Sequence, residues 1–235
     1  MASAAYTKTQ ALRELRALAD PSVRAKMETF GVRVKQAQGI PTPRLHRLAK
    51  QIGRNHALAD QLWRSGIHEA KILAALIGEP PKVTAAQMDQ WALGCDSWDE
   101  VDASCCYLFV FAAPAWRKTI EWSRRKEEYV KRAAFALMAY LAYRDKPAAD
   151  ARFLRLLTII RRESRDDRGY VKKAVNWALR NIGKRNVALN RAAIRTAKQI
   201  RTLDSKTAKW IAADALRELT GAAVQRRLRR RKRRL

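Results

Sequence analysis

The hexapeptide Ser97–Asp102 (SWDEVD) carries the residues of this chain best suited to chemistry. Asp99 and Glu100 fall in the first turn of a predicted helix, where the helix dipole favours negative charge, so both have a sufficient structural cause. Ser97 at the cap and Glu100 three residues on read as a capping box. Asp102 lies beyond the capping positions. It follows Trp98 by four residues, so carboxylate and indole share one side of the helix. The same pattern also fits an ordinary surface aspartate beside a half-buried tryptophan. A second indole, Trp177, lies in Tyr170–Lys184 (YVKKAVNWALRNIGK). There Val171, Ala174, Val175, Ala178, Leu179 and Ile182 form an apolar stripe at helical spacing. Trp177 sits roughly 130° from the centre of that stripe, among Lys173, Arg180 and Lys184. An indole among three cations on the solvent side of a helix asks for a flat or anionic partner.

The chain holds no P-loop, GxGxxG, Gly-x-Ser-x-Gly or HExxH pattern. Any catalysis must therefore work with a carboxylate, indoles and cations. Such equipment could cleave an N-glycosidic bond whose leaving group is already good. The carboxylate would stabilise an oxocarbenium-like sugar and help place the attacking water. A cationic base needs no general acid, because its charge is neutralised as it leaves. His46, His56 and His68 are scattered without metal-ligand spacing, and neither metal nor cofactor is expected. Cys95, Cys105 and Cys106 form neither a CxxC nor an even set, which fits reduced cysteines in a cytoplasmic protein.

Composition points to the partner. The 235 residues include 49 Lys+Arg against 22 Asp+Glu, a net charge of +27. Charge of that size costs self-repulsion unless a polyanion offsets it. Arg226–Arg234 (RRLRRRKRR) reads as a disordered arm for non-specific nucleic-acid binding, and the body is basic without it. The expected organisation is one domain over residues 1–222 and a disordered basic tail over 223–235. No signal peptide or membrane span is evident, and nothing suggests an obligate protein partner or dimer, so a monomer is expected.

The elements that must position these residues are all helical by pattern. Helices are predicted over Thr7–Ala19, Ser22–Phe30, Arg44–Ile52, His56–Trp63, Ile67–Ile77 and Thr84–Leu93, separated by Asp20-Pro21, Gly39–Pro43 and Glu79-Pro80-Pro81. The helix opened by SWDEVD continues through the apolar run Cys105–Ala113, is expected to lie deep in the fold, and is closed by Pro114. In Tyr129–Leu141 the stripe is Val130, Ala133, Ala134, Leu137, Met138 and Leu141. Adding 41 to each position gives the stripe of Tyr170–Lys184. A further 37 gives Ala208, Ile211, Ala212, Ala215, Leu216 and Leu219 in Ser205–Leu219. Two more helices, Asp150–Arg162 and Asn186–Ile200, lie between them. Helix pairs repeating at that period are the signature of an all-α, HEAT-like solenoid, an α-α superhelix.

Stacked repeats place equivalent residues on one surface. Arg132, Lys173 and Trp210 are equivalent, as are Arg180 and Arg217, whereas position 177 is Ala136 and Asp214 in the neighbouring repeats. These polar faces predict the wall of a concave basic groove bearing exposed indoles, fit for a polyanion with something flat or sugar-like to touch.

SWDEVD, then YVKRAAF, then YVKKAVNWALRNIGK, in that order on such an array, resembles the bacterial DNA alkylation repair glycosylases of the AlkD type. GIPTPRLHRLAK and LWRSGIHEAKILAAL look like the family's N-terminal half, so the likeness covers about residues 25–220. It implies a DNA glycosylase that hydrolyses N3- or N7-alkylated, positively charged purines from duplex DNA, as in base excision repair. It further implies that Asp102 is the catalytic carboxylate, that Trp98 and Trp177 flank it and pack on the sugar-phosphate backbone, and that Arg132 contacts a phosphate. Lys173, Arg180, Lys184 and Trp210 complete the expected DNA-binding set. Trp177 is expected to face Trp98 and Asp102 across the groove. The Arg-rich tail departs from the family pattern, and relatives include proteins that bind DNA without excising bases.

Overall fold

The computed structural model describes residues 6–32 and 34–232, with side chains through Arg230. Arg233 and Arg234 of the basic run lie outside the described residues. Regular structure among the described residues is entirely helical. The chain divides into two compact units, Met1–Pro114 and Ala115–Leu235, where the sequence predicts one domain and a tail.

The first unit holds α1 (Lys8–Ala17), α2 (Pro21–Thr29), α3 (Thr42–Ile52), α4 (His56–Trp63), α5 (His68–Ile77), α6 (Ala85–Leu93) and α7 (Trp98–Tyr107). Asp20, expected only to break the chain, also starts α2: its Oδ1 accepts the Ser22 amide at 2.9 Å, with Pro21 at the first helical position. Helix α5 is the centre of the unit and packs against α3, α4 and α7. Nearly all of it is buried, including the polar residues His68, Glu69 and Lys71. Trp63 stacks on Trp91 with ring centroids 4.2 Å apart, and Trp91 meets Phe109 beyond it. Helix α7 is shorter than its apolar sequence suggests. At Leu108 the backbone leaves helical geometry, and Phe109–Phe111 forms a 3₁₀ turn. The run is deep only in part, since Phe109 and Val110 are buried while Phe111 is exposed.

The second unit holds α8 (Ala115–Trp122), α9 (Glu128–Arg144), α10 (Asp150–Glu163), α11 (Gly169–Gly183), α12 (Val187–Arg201), α13 (Lys206–Thr220) and α14 (Ala222–Lys232). Two layers result. Helix α11 packs between α9 and α13, while α12 packs between α10 and α14. The apolar stripes predicted for α9 and α11 are buried throughout, and that of α13 is buried except for Leu216, which is partly covered. Layer contact is close at Gly183, where a Cβ would lie 2.7 Å from Leu219 Cδ2 and 2.9 Å from Ala193 Cβ. Only a residue without a side chain lets α11, α12 and α13 meet there.

The stretch expected to be a disordered arm is helical through Lys232. Arginine is a good helix former, and the helix finds an anchor: Leu228 is only 2% exposed, and Gln225 Nε2 donates to Asn190 Oδ1 and the Leu219 carbonyl. No helix among the described residues is long and apolar enough to cross a membrane.

Candidate functional site

Trp98 and Asp102 belong to the first unit and occupy consecutive turns at the start of α7. Both are partly buried. The Trp98 indole Nε1–H donates to the carbonyl of Phe30, at the end of α2, at 3.1 Å, which fixes the ring's orientation. Spacing alone could not reveal that partner.

The expected capping box does not form. Ser97 occupies the cap position, but its hydroxyl donates to Asp99 Oδ1 at 2.5 Å instead of accepting a helix amide. Glu100 is drawn inward. Its carboxylate accepts from the Asp96 amide (2.9 Å) and Lys71 Nζ (3.1 Å) and lies 2.8 Å from His68 Nδ1. His68 Nε2 is 3.0 Å from Asp99 Oδ2. A buried imidazole thus bridges two carboxylates at the root of α7. Burial opposes its charge, but the hydrogen bonds it donates to Asp99 and Glu100 prevail and hold its pKa up at about 10. The His68 ring is therefore a cation at neutral pH, and it secures the helix that carries Trp98 and Asp102. Lys71 adds a second buried cation, bonded to Asp96 Oδ2 at 2.6 Å.

The remaining expected residues belong to the second unit, and the structure divides them. Trp177 is half-buried, set edge-on against Tyr140 with centroids 4.9 Å apart. Lys173 is exposed and makes no ion pair among the described residues. Trp210 is 45% exposed, with Lys172 Nζ over its ring at 5.6 Å. Trp210 and Lys173 thus face solvent, whereas Trp177, expected on the solvent side, is partly covered by Tyr140.

Arg132 does not. It is 6% exposed, and its Nη1 donates to the Tyr170 carbonyl at 3.0 Å, so it ties α9 to the start of α11. Helix α9 lies between α8 and α11, which covers a flank that the repeat pattern assigns to solvent. Arg180 and Lys184 are partly exposed but already neutralised. Lys184 Nζ lies 2.6 Å from Glu218 Oε1, and Arg180 pairs with Glu218 Oε2 and with Asp214. Arg217 also pairs with Asp214. Burial of Glu218 is outweighed by Lys184 and Arg180, which hold its carboxyl below the usual range. The charge available to an anionic ligand on this face is therefore smaller than the sequence suggests.

Cys95 and Cys105 are buried and Cys106 is partly buried. No group of three His, Cys, Asp or Glu among the described residues could hold a metal ion.

Paired helices in two layers, a tryptophan and an aspartate on one helix, and a strongly basic second unit define an α-helical repeat protein of the HEAT-like kind. The family model "DNA alkylation repair enzyme" matches residues 11–219, and the chain belongs to that family. No curated protein matches it. It is similar to a solved structure described as "a new family of proteins related to the HEAT-like repeat DNA glycosylases with affinity for branched DNA structures". The TM-score is 0.74 at 20% identity, covering 91% of this chain and 96% of that one. At that identity the likeness shows the fold.

Proposed function

We propose that the protein is a DNA glycosylase that hydrolyses N3- or N7-alkylated, cationic purines from duplex DNA, leaving a free base and an abasic site. The observation that carries this is the pairing of Trp98 with Asp102 on an anchored helix, in a chain of the DNA alkylation repair enzyme family. In the reaction, water oxygen bonds to C1′ as the C1′–N bond breaks. The bonding pair moves to the purine nitrogen and cancels the ring's positive charge, and the water proton passes by way of Asp102 to solvent. Asp102 orients the water and stabilises the positive sugar as it forms. Trp98 packs on the deoxyribose. Trp177, Trp210 and Lys173 hold the backbone, with Arg180 and Lys184 available once their carboxylate partners yield. Arg132 contributes from the interior by fixing the start of α11. The base need not enter a deep pocket, because its own charge makes it a good leaving group.

Release of methylated base from an N7-methylguanine duplex, by wild type and Asp102→Asn, tests this reading. Loss of about 100-fold or more in rate, with duplex affinity retained, is the expected result. Equal release by both proteins would remove Asp102 from its role, and no release by wild type would remove the activity itself.

A second reading, binding of damaged or branched DNA without chemistry, has two supports. The structurally similar family has affinity for branched DNA. Glu218 and Asp214 also neutralise part of the α11–α13 face. It predicts a steep salt dependence of binding and no base release.

A further inference from the structure

Exposed cations without an ion pair among the described residues also lie on the other layer of the second unit. Helix α12 contains no acidic residue, and α10 has acids only at its two ends, Asp150 and Glu163. Arg155, Arg161 and Arg165 in and just after α10, with Arg191 and Arg195 on α12, are exposed and make no ion pair among the described residues. Two of the nearby acids are engaged elsewhere: Glu163 lies 2.6 Å from Lys131 Nζ and also pairs with Arg162, and Asp166 lies 2.9 Å from Lys131 Nζ and 2.6 Å from Arg168. Lys131 and Arg168 outweigh the effect of burial and hold the Asp166 carboxyl at about 2, so it stays charged and paired.

The exposed cations are also arranged. A cleft of about 210 Å³ runs between α10 and α12, lined by Leu157 and Arg161 from one helix and Arg195 and Gln199 from the other. It adjoins a second cleft of about 430 Å³ formed by Arg161, Arg162, Arg165 and Leu203. No carboxylate lines either cleft. Arg191 and Arg195 stand one helical turn apart, and like charges at that spacing repel. Several guanidinium groups, with hydrogen-bonding Thr158 and Gln199 beside Arg161 and Arg195, suit the chemistry of a phosphodiester chain better than that of a single small anion.

We propose that the α10–α12 face is a second DNA-backbone surface, separate from the α9–α11–α13 face, so that one protein molecule can hold two duplex segments at once. This rests on the reading that the α9–α11–α13 face binds duplex DNA. Arg161 and Arg195 are its central phosphate contacts, and the surface reads no base sequence.

A bridging assay on the full chain tests it. A biotinylated duplex is immobilised, protein is bound, and capture of a second, fluorescent duplex of unrelated sequence is measured at fixed salt. Wild type should capture the second duplex. Arg161→Glu/Arg195→Glu should lose bridging by about tenfold or more, while its affinity for a single duplex falls far less and its melting temperature is unchanged. Arg161→Lys/Arg195→Lys should keep most of the bridging. Bridging that survives the double Glu substitution overturns the proposal, as does an equal loss of single-duplex affinity. Wild type that binds the first duplex but captures no second also overturns it. Wild type that binds no duplex at all fails the functional reading as well.

Discussion

His68 Nδ1 lies 2.8 Å from Glu100 Oε1, joining α5 to α7 through a pair of side chains that are both almost fully buried. With Asp99 on the other ring nitrogen, the imidazole is held as a cation with a pKa of about 10. The folded-state value is raised above the ordinary 6.5, so the stability it contributes is fully present below pH 6.5 and is lost as pH rises towards 10. His68→Gln removes one partner from a buried charged cluster and should cost about 3–5 kcal/mol near pH 6. Urea midpoints of wild type and variant, measured from pH 6 to pH 10, should converge as pH rises. A gap independent of pH would mean that the ring is neutral throughout.

Gly183 is the point at which three helices meet, and any Cβ there must displace Leu219 or Ala193. Gly183→Ala should therefore destabilise the protein by roughly 1–3 kcal/mol despite alanine's better helix propensity. Gly169→Ala is the control, since nothing lies within 4 Å of its added Cβ. It should be neutral or stabilising by less than about 1 kcal/mol. Denaturant titration of both variants measures the contrast.

These two sites show what a sequence can and cannot carry. The stripe Val171, Ala174, Val175, Ala178, Leu179 and Ile182 was legible because a buried face leaves its period in the chain. His56–Trp63 was legible in full for the same reason. The partners of polar residues leave no such trace. Glu218 reaches Lys184 and Arg180 from a neighbouring repeat, and Phe30 offers its carbonyl to Trp98 from 68 positions away. Local rules misread SWDEVD for that reason: the capping box is the best short-range use of Glu100, but His68 and Lys71 make a better long-range one. Helix α8 was not foreseen because the side chains it buries include Lys118 and Thr119, which do not read as a core face. The arginine run of α14 resembled a tail because Leu228 is the one apolar residue between Arg226 and Arg234.

Glu218 makes a prediction of its own. Glu218→Gln keeps the shape of the side chain but frees Arg180 and Lys184 from their shared carboxylate. These pairs are partly exposed, so stability should change by no more than about 1 kcal/mol. Duplex affinity should rise severalfold at low salt, and the slope of log K against log salt should steepen by about one for each cation that gains a phosphate. A fall in affinity would mean that Glu218 holds the two cations in their binding geometry. Fluorescence anisotropy across a salt series separates the two outcomes.

Trp177 and Trp210 should respond differently to removal, because only one of them supports the fold. Trp210 is 45% exposed with a lysine over its ring, so Trp210→Ala should leave the melting temperature nearly unchanged, within about 0.5 kcal/mol of wild-type stability. Trp177 packs edge-on against Tyr140, a contact worth about 0.5–1.5 kcal/mol beyond its buried area, so Trp177→Ala should lower stability measurably. If both indoles lie against nucleic acid, each variant should also lose about 1–3 kcal/mol of DNA binding. That loss should persist at high salt, since stacking, unlike phosphate pairing, releases few counterions. Loss of binding that vanishes at high salt would assign the contact to the neighbouring lysines, Lys172 and Lys173, and leave the indoles with no part in recognition.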